Sequence, residues 1–407
     1  MSVLGREGAA RRVDELLERR LDAGERFFAA GSERIALLCH RMAERFARGG
    51  RLLAFGASPA ARSDARHVAV EFVHPVIVGK RALPALGLAA EGGGLAAQLD
   101  VVAEPDDIAL AVALDAGDPE TAQALAAARA RGCLTVAFTA AGAEWELELP
   151  DADPFVRQEL AETTYHVLWE LVHVFFEHRG LLEGRRAGPV HDTGASSFLY
   201  PFLAEREEDL DGVVADVRGS VLMKAEEVGA LRAQTLSDNR STLLAAAAGV
   251  RAALDDGRAL LALGNGGSAT DAMDAVADFR AAPQGWPARR ALDLTEDPAI
   301  LTAIANDIGT EAIFSRQVIA YGRAGDVVLA FSTSGGSENL LAALVEARRR
   351  GLMTIAMVGY DGGRVAAERL ADHIVITRSQ HIPRIQEAQA SAYHVLRELV
   401  ELAGAAP

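Results

Sequence analysis

Cysteine is scarce in this chain, which has two cysteines, Cys39 and Cys133, among 407 residues. Neither belongs to a CxxC or Cys/His motif, so the sequence lacks a disulfide framework and fits a reducing compartment. No uncharged stretch reaches the about 18 residues that a membrane helix needs, and charged residues follow the N-terminus at once. The sequence therefore predicts a cytoplasmic protein without a membrane span or a secretory signal.

Net positive charge is also missing. The 57 acidic and 41 basic side chains give a formal net charge of −16, which would repel the phosphates of DNA or RNA over most of the surface. We therefore expect no nucleic-acid partner, whereas a small phosphorylated ligand in a local pocket stays compatible. Half of the residues are hydrophobic, enough to give two or three domains a core each.

What the chain does contain is an internal duplication. Apolar strands at 51–55 and 258–263 each precede a helix, SDARHVAVEF and TDAMDAVADF, and each half closes with a helix that places Gln and His eight residues apart. Strands that alternate with helices of a dozen residues predict an α/β fold with parallel sheets covered on both faces. We expect an N-terminal domain at 1–182, a linker at 183–200 and a C-terminal domain at 201–407.

Two Gly/Ser loops in the second half predict a phosphate-binding site. Each follows an apolar strand and opens a helix, whose N-terminus offers backbone N–H groups and a positive dipole end to an anion. Neither loop has the Lys-Ser/Thr ending of a Walker A loop or the glycine spacing of a GxGxxG fingerprint, so no nucleotide cofactor is implied. The first loop supplies Asn265, Gly266, Gly267 and Ser268, and the second supplies Ser332, Thr333, Ser334 and Ser337.

Four motifs follow one another in the second half: GNGGSATDAMDAVADF, LTAIANDIGTEAIFSRQV, GDVVLAFSTSGGSENLLAAL and RIQEAQASAYHVLRELVEL. In this order they closely resemble the phosphoheptose isomerases, the sedoheptulose 7-phosphate isomerases of the sugar isomerase (SIS) domain superfamily. The likeness covers about residues 210–402, and a weaker one over 11–182 indicates a second, diverged SIS copy. The resemblance implies two tandem SIS domains, each a flavodoxin-like three-layer αβα sandwich with a helical N-terminal extension.

The same resemblance implies a reaction and an assembly. The reaction is the isomerisation of sedoheptulose 7-phosphate to a heptose 7-phosphate, by proton transfer through an enediol. Active sites of the family form at subunit interfaces, and typical single-domain members are tetramers, so a homodimer of this chain would present the same four SIS domains. A non-catalytic SIS protein that binds a sugar phosphate for regulation or assembly is the alternative.

Metal and acid/base positions can be carried over from the family, in which a His and a Glu stand four residues apart after the first loop and a Gln and a His stand eight apart on the closing helix. These positions, expected to hold a divalent metal such as zinc, are His67, Glu71, Gln158 and His166 in the first half and, as an alternative set, Asp274, Asp278, Gln386 and His394 in the second. Proton transfer would fall to Asp278 and His394 or to their counterparts Glu71 and His166. The resemblance also places Gln386 and Asp307 against the sugar.

The two halves depart from the family pattern in complementary ways. The first half keeps the His and the Glu, but its loops have lost the double glycine and carry Asp118, a good helix N-cap, where phosphate would bind. The second half keeps the loops but has Asp in both places, and the family's substrate-binding Arg has only Arg280, Arg289 or Arg290 as substitutes. Two interpretations stay open: a composite site built from both halves, or an active second half beside a structural first half.

Overall fold

The computed structural model describes residues 6–76, 80–88, 92–112, 117–150, 153–177, 181–182, 209–282 and 285–402. Their contacts define two compact units, each containing one sheet. The first-sheet unit takes Ala23–Asp153 and Arg157–Glu226, and the second-sheet unit takes Met1–Asp22, Pro154–Val156 and Glu227–Pro407. These boundaries differ from the predicted ones at 182 and 201, and the predicted linker at 183–200 lies outside the described residues.

The first half of the chain forms a five-stranded parallel sheet in the order β2-β1-β3-β4-β5. Its strands are β1 (Leu52–Phe55), β2 (Ala85–Gly87), β3 (Ile108–Ala111), β4 (Leu134–Ala137) and β5 (Trp145–Glu146). The helices are α1 (Arg6–Ala47), α2 (Pro59–Val73), α3 (Leu95–Val102), α4 (Pro119–Ala130), α5 (Pro154–Glu177) and α6 (Leu210–Asp238). Every residue of β1, β3 and β4 is buried, as expected for a parallel sheet with helices on both faces.

The second half repeats this arrangement in the order β7-β6-β8-β9-β10. Its strands are β6 (Leu260–Leu263), β7 (Ala291–Asp293), β8 (Val327–Ser332), β9 (Met353–Gly359) and β10 (His373–Thr377). The helices are α7 (Arg240–Asp255), α8 (Gly267–Arg280), α9 (Pro298–Asp307), a 3-10 turn (Thr310–Ala312), α10 (Ser315–Tyr321), α11 (Glu338–Arg349), α12 (Gly363–Ala367) and α13 (Ile382–Leu402). Alternate residues of β6 enter two separate apolar clusters, so both faces of this sheet are covered.

The predicted α/β fold is confirmed, and both sheets have the strand order 2-1-3-4-5 of flavodoxin-like proteins. In such sheets the order in which successive strands are added reverses between the first and third strands, and ligands bind beside the carboxyl ends of those two strands. In the second sheet this switch point lies between β6 and β8, the two strands that the predicted phosphate loops follow. Among the helices of the described residues, none is both long and apolar enough to cross a bilayer.

Candidate active site

The first phosphate loop, residues 264–268, leaves β6 at the switch point and opens α8. A Cβ at Gly264 would lie 2.0 Å from the carbonyl oxygen of Ser268, and Gly266, the N-cap of α8, has a φ of 57°. Glycine meets both demands, the close approach and the left-handed backbone, without strain. This tight turn directs the N-terminus of α8, with its positive dipole end, toward the switch point.

The second phosphate loop, residues 332–337, follows the neighbouring strand β8 and opens α11. The Ser332 Oγ accepts a hydrogen bond of 3.0 Å from the Gly335 N–H, and the Ser334 Oγ accepts one of 3.2 Å from the Gly336 N–H. Ser337 is the N-cap of α11, yet its side chain makes no capping hydrogen bond. Helix capping, the usual role of a serine here, therefore does not account for Ser337. We call residues 264–268 and 332–337 together the phosphate seat.

An amide pair joins the two loops of the phosphate seat. Asn265 Nδ2 donates to Asn339 Oδ1 over 3.0 Å, and Asn339 Nδ2 donates to Asn265 Oδ1 over 2.9 Å. Because each amide both donates and accepts, the pair holds the loops at a set separation. Asn339 is a residue that the sequence analysis missed, since nothing in its local pattern shows which residue it faces.

A third glycine-rich loop, which follows β9, supports the second phosphate loop through backbone contact. A Cβ at Gly363 would lie 2.2 Å from the Ser334 carbonyl oxygen, and one at Gly359 would lie 2.4 Å from the Thr333 carbonyl oxygen. Only glycine lets two backbones approach so closely. The shape of the phosphate seat therefore depends on a loop that the sequence analysis left without a role.

Helices α8 and α13 bring a buried carboxylate and an imidazole together. The Asp278 Oδ2 lies 3.8 Å from the His394 Nε2, and both side chains are 2% exposed. The Tyr393 hydroxyl donates to the same Asp278 oxygen over 2.9 Å. Burial raises the pKa of Asp278 to about 6, although His394, Tyr393 and Arg397 act to lower it. A carboxyl group that titrates near neutral pH is suited to general base catalysis.

The phosphate seat and this pair lie at different heights of the second-sheet unit. Ser268 and Asp278 are ten residues apart on α8, which separates their Cα atoms by about 15 Å. On α13, the Gln389 Nε2 donates to the Ser332 carbonyl oxygen over 3.2 Å, so the turn that holds Gln386 faces the seat. His394 is two turns farther, about 12 Å along the helix. The alternative metal set Asp274, Asp278, Gln386 and His394 is thus spread along α8 and α13.

The arginine substitutes lie at the opposite edge of the sheet from the phosphate seat. The Arg290 carbonyl oxygen accepts from the Leu260 N–H, where β6 begins. Arg280 donates to the Ala291 carbonyl oxygen over 2.9 Å, and Arg289 pairs with Glu401 at 3.3 Å. None of the three is placed to bind a phosphate in the seat.

Asp307, which the resemblance places against the sugar, is the last residue of α9. Its side chain is exposed. The Asn306 Nδ2 donates to Asp307 Oδ1 over 2.8 Å, so the two neighbouring side chains hold one another at the surface. A role for Asp307 in sugar binding stays a prediction.

In the first-sheet unit, α2 and α5 form a buried His/Glu/His cluster. One ligand atom each from His67, Glu162 and His166 lies within 4.8 Å of the others, and the two Nε2 atoms are 3.4 Å apart. The sequence analysis missed Glu162. It stands one helical turn from both Gln158 and His166, so a search for residues on one helix face would have found it.

A second set of contacts fixes the orientation of His67. The Tyr165 hydroxyl donates to Asp64 Oδ1 over 3.2 Å and lies 3.0 Å from the His67 Nδ1. Because the hydroxyl has one proton, the His67 Nδ1–H donates to it, and the lone pair of Nε2 points toward His166. Burial, with the nearby His166, lowers the pKa of His67 well below its ordinary value. The ring is therefore neutral, the form in which imidazole binds metals.

Two other residues of the predicted metal set lie around this cluster. The Glu71 Oε1 lies 3.8 Å from the His67 Nε2. The Gln158 Nε2 donates to Asp64 Oδ2 over 3.4 Å. Gln158 stands eight residues, about two helical turns, before His166 on α5. The described residues therefore bring His67 and His166 together as the sequence predicts, with Glu162 as the third member.

The loops of the first half have the same tight glycine turn as the second half but lack the hydroxyl-bearing residues of the phosphate seat. A Cβ at Gly56 would lie 2.4 Å from the Ala61 Cβ, the same crowding as at Gly264. The Asp118 carboxylate accepts from the Glu120 and Thr121 N–H groups at 3.3 and 2.9 Å, which confirms the predicted N-cap of α4. A carboxylate thus occupies the helix N-terminus where phosphate would bind. Residues 113–116 of this loop lie outside the described residues.

The chain is similar to known proteins over much of its second half. The SIS domain family matches residues 225–359, a segment that contains both phosphate loops and Asp278. The phosphoheptose isomerase of Desulfovibrio desulfuricans is 42% identical over 178 residues, which are 44% of this chain and 84% of that one. The chain belongs to the phosphoheptose isomerase family of SIS-domain proteins. The phosphoheptose isomerase of Geotalea daltonii is 44% identical over 153 residues, 37% of this chain and 77% of its own.

A solved structure extends the likeness along the whole chain. The C-terminal domain of glucosamine-fructose-6-phosphate aminotransferase from Francisella tularensis aligns with 95% of this chain and 94% of its own, with a TM-score of 0.58 and 9% sequence identity. At this identity the likeness shows the fold alone. As a member of the phosphoheptose isomerase family, the protein is an isomerase enzyme.

Proposed function

We propose that the protein interconverts an aldose phosphate and a ketose phosphate, specifically sedoheptulose 7-phosphate and a heptose 7-phosphate, through an enediol. One observation carries the proposal: the second-sheet unit contains both a candidate phosphate seat at its switch point and a buried Asp278–His394 pair, the two parts that such an isomerase needs. Family membership supports the reaction class, since the relatives are phosphoheptose isomerases.

The phosphate seat would hold the terminal phosphoryl group of the sugar. Ser268, Thr333 and Ser337 supply hydroxyl donors, and α8 and α11 present their N-termini to the anion. A phosphate bound here neutralises the unpaired N–H dipoles of both helices at once. Gln386 and Asp307 are the residues that we assign to the sugar hydroxyls.

Proton transfer between C1 and C2 would fall to the pair. Asp278 in its ionised form accepts the proton from one carbon and returns it to the other, and its pKa of about 6 leaves it mostly ionised at neutral pH. His394, with Nε2 facing that carboxylate at 3.8 Å, is placed to exchange a proton with the sugar oxygens. Glu71 and His166 are the corresponding pair of the first half.

Zinc is the cofactor that we assign to the first-sheet unit. Two imidazoles and a carboxylate form a donor set that zinc prefers, and two ligand atoms of a tetrahedral zinc lie about 3.4 Å apart, which matches the separation of the His67 and His166 Nε2 atoms. Bound zinc would supply a link between α2 and α5 through three buried ligands. The residues around it hold the ring of His67 by the Tyr165 and Asp64 contacts.

We further propose a cytoplasmic homodimer that presents four SIS domains. The seat and the pair of one second-sheet unit are about 15 Å apart along α8, and the side of α8 between them is packed, with the Tyr393 hydroxyl oxygen 3.4 Å from the Ala275 carbonyl oxygen. A second copy of the chain would complete each site. Light scattering should then give twice the 43.0 kDa of one chain, and a monomer that isomerises sugar phosphates would contradict this part.

Isotope exchange tests the reaction. In deuterated water, the purified protein with sedoheptulose 7-phosphate should incorporate deuterium at C1 and C2 as an aldose phosphate accumulates, because the enediol exchanges its proton with solvent. Mass spectrometry and NMR follow both. Binding of the sugar phosphate without exchange would overturn the enzymatic proposal in favour of a regulatory sugar-phosphate-binding protein.

Metal analysis tests the zinc assignment with a pair of variants. We expect Glu162→Gln to weaken zinc affinity by about 10- to 100-fold, and Glu71→Gln to weaken it much less. Competition with a zinc-binding dye measures both, and circular dichroism checks the fold of each variant. If Glu71→Gln loses zinc and Glu162→Gln does not, Glu71 is the ligand and our assignment is wrong.

A further inference from the structure

A buried phenylalanine from outside the second SIS domain lies flat on the candidate catalytic histidine. The Phe155 ring centroid is 4.4 Å from that of His394, with 9° between the ring planes. Phe155 is fully buried. Phe155 is the second residue of α5, the closing helix of the first half. The contacts of the short segment Pro154–Val156 nevertheless place it in the second-sheet unit.

Phe155 also contacts a second aromatic side chain, Trp286. The Trp286 ring centroid lies 6.0 Å from the Phe155 centroid, and the Arg397 guanidinium lies 4.7 Å from the Trp286 ring and 4.5 Å from the Phe279 ring. Imidazole, phenyl, indole and guanidinium are thus in successive contact within one unit. Phe155 therefore packs against Trp286 as well as against His394.

A parallel aromatic ring can fix the orientation of the imidazole plane, which the histidine side chain does not fix by itself. The second side-chain torsion of histidine is broad and roughly two-fold, so the chain's own torsional preference does not set the ring plane. Proton exchange with a substrate oxygen depends on that plane, because Nε2 has to keep its direction relative to Asp278. Contact between aromatic rings stabilises them beyond the burial of their area, enough to favour one ring orientation several-fold.

We propose that Phe155 is a positioning residue for His394: the first half of the chain supplies a ring that fixes the imidazole plane of the second-half site. Phe155 lies in the first half of the chain, outside the predicted C-terminal domain at 201–407, which contains His394. A second SIS domain made alone would therefore lack this ring. The catalytic part of the inference rests on the proposed function, whereas the geometric part does not.

The wild-type chain tests the geometry without any substitution. In histidine-labelled full-length protein, the ring C–H protons of His394, assigned with His394→Gln, should show an upfield ring-current shift and a nuclear Overhauser effect to Phe155. Absence of both would overturn the proposal, whether or not the protein turns over a sugar phosphate.

Phe155→Leu tests the consequence, because it keeps an apolar side chain and removes the planar ring. We expect the upfield shift to disappear and kcat to fall about 10-fold with KM within about two-fold, as for a catalytic group that loses its orientation. The matched control is Phe314→Leu, another buried phenylalanine of the same unit, which should leave shift and kcat unchanged.

The two readouts separate failure of this inference from failure of the proposed function. If the ring-current shift is lost in Phe155→Leu and kcat stays at the wild-type value, the ring stacks without positioning and the proposal is wrong. If Phe314→Leu lowers kcat equally, the effect is general loosening of the core, and the proposal is equally wrong. If wild-type protein is inactive on sugar phosphates but shows the stacking signals, only the proposed function fails.

Discussion

The two halves of this chain have the same strand order but carry different clusters of polar side chains. Both sheets have the order 2-1-3-4-5, and both open the helix after their first strand with a glycine, Gly56 or Gly264, that tolerates no Cβ. The first half has a His/Glu/His cluster and a carboxylate at the helix N-terminus, whereas the second has hydroxyl-bearing loops and a carboxylate–imidazole pair. A duplicated fold therefore constrains turns and cores far more than it constrains polar side chains.

The comparison can be followed through single aligned positions. His67 and Glu71 correspond to Asp274 and Asp278, and Glu162 corresponds to Ala390, so the second half lacks both an imidazole and a carboxylate of the cluster. In the first half, Asp118 binds the N–H groups of α4, which excludes a second anion by charge repulsion and by occupancy. The first half therefore has the His/Glu/His cluster without the hydroxyl-bearing loops, and the second half has the loops without the cluster.

The largest expected effect comes from removing one histidine from each half. His394→Ala should lower kcat for sugar-phosphate isomerisation by about 10³-fold, within the range for loss of a general acid–base group. His166→Ala should lower zinc content and thermal stability while kcat stays within a few-fold of wild type. Steady-state kinetics and metal analysis of both variants measure this.

Other results for these two variants would show which half of the chain takes part in the reaction. Equal loss of kcat in both variants would show that the first half takes part in the reaction, the composite interpretation of the sequence. Loss with His166→Ala alone would move the reaction to Glu71 and His166 and remove our assignment of the Asp278–His394 pair.

Asp278 should also weaken the folded state above pH 6. Its pKa rises from the ordinary 3.8 to about 6 on folding, so between about pH 4 and 6 the folded protein retains a proton that the unfolded chain releases. The free energy of unfolding therefore falls as pH rises through this window, and at pH 8 the cost is about 3 kcal/mol.

Asp278→Asn removes that cost and keeps an oxygen that can accept from Tyr393. We expect the variant to be inactive, and more stable than wild type by about 2–3 kcal/mol at pH 8, with the difference vanishing near pH 4. Urea unfolding at both pH values measures it, and the pH 4 comparison is the internal control. A variant that is less stable at pH 8 would mean that ionised Asp278 has more stabilising partners than the structure shows.

Much of this molecule could be predicted from sequence because it is encoded locally. Glycine spacing, hydroxyl runs and buried apolar strands predict the loops and both sheets, and the resemblance to the phosphoheptose isomerases implies that Asp278 and His394 belong together. Phe155 and Asn339 could not be predicted, because their partners are distant in sequence and no periodicity shows what a ring or an amide will face. The pKa of Asp278 likewise depends on burial by other elements.

Two features that were not predicted from the sequence have different physical origins. Glu162 could have been found from helical spacing, since residues four apart share one face. The compact units could not have been found in this way, because the sequence of α1 is amphipathic along its whole length and does not show that Met1–Asp22 groups with the second sheet and the following residues with the first.

The smallest expected effect separates the shared turn from the phosphate seat. Gly264→Ala and Gly56→Ala both place a Cβ against the following turn, 2.0 Å from the Ser268 carbonyl oxygen in one case and 2.4 Å from the Ala61 Cβ in the other. Both should destabilise the fold, but only Gly264→Ala displaces the N-terminus of a helix that we propose binds phosphate. We expect it to raise the Kd for inorganic phosphate about 10-fold, or about 1.4 kcal/mol, in titration calorimetry, with Gly56→Ala unchanged. Equal weakening by both would place the anion outside the seat and return a phosphate-binding role to the first half.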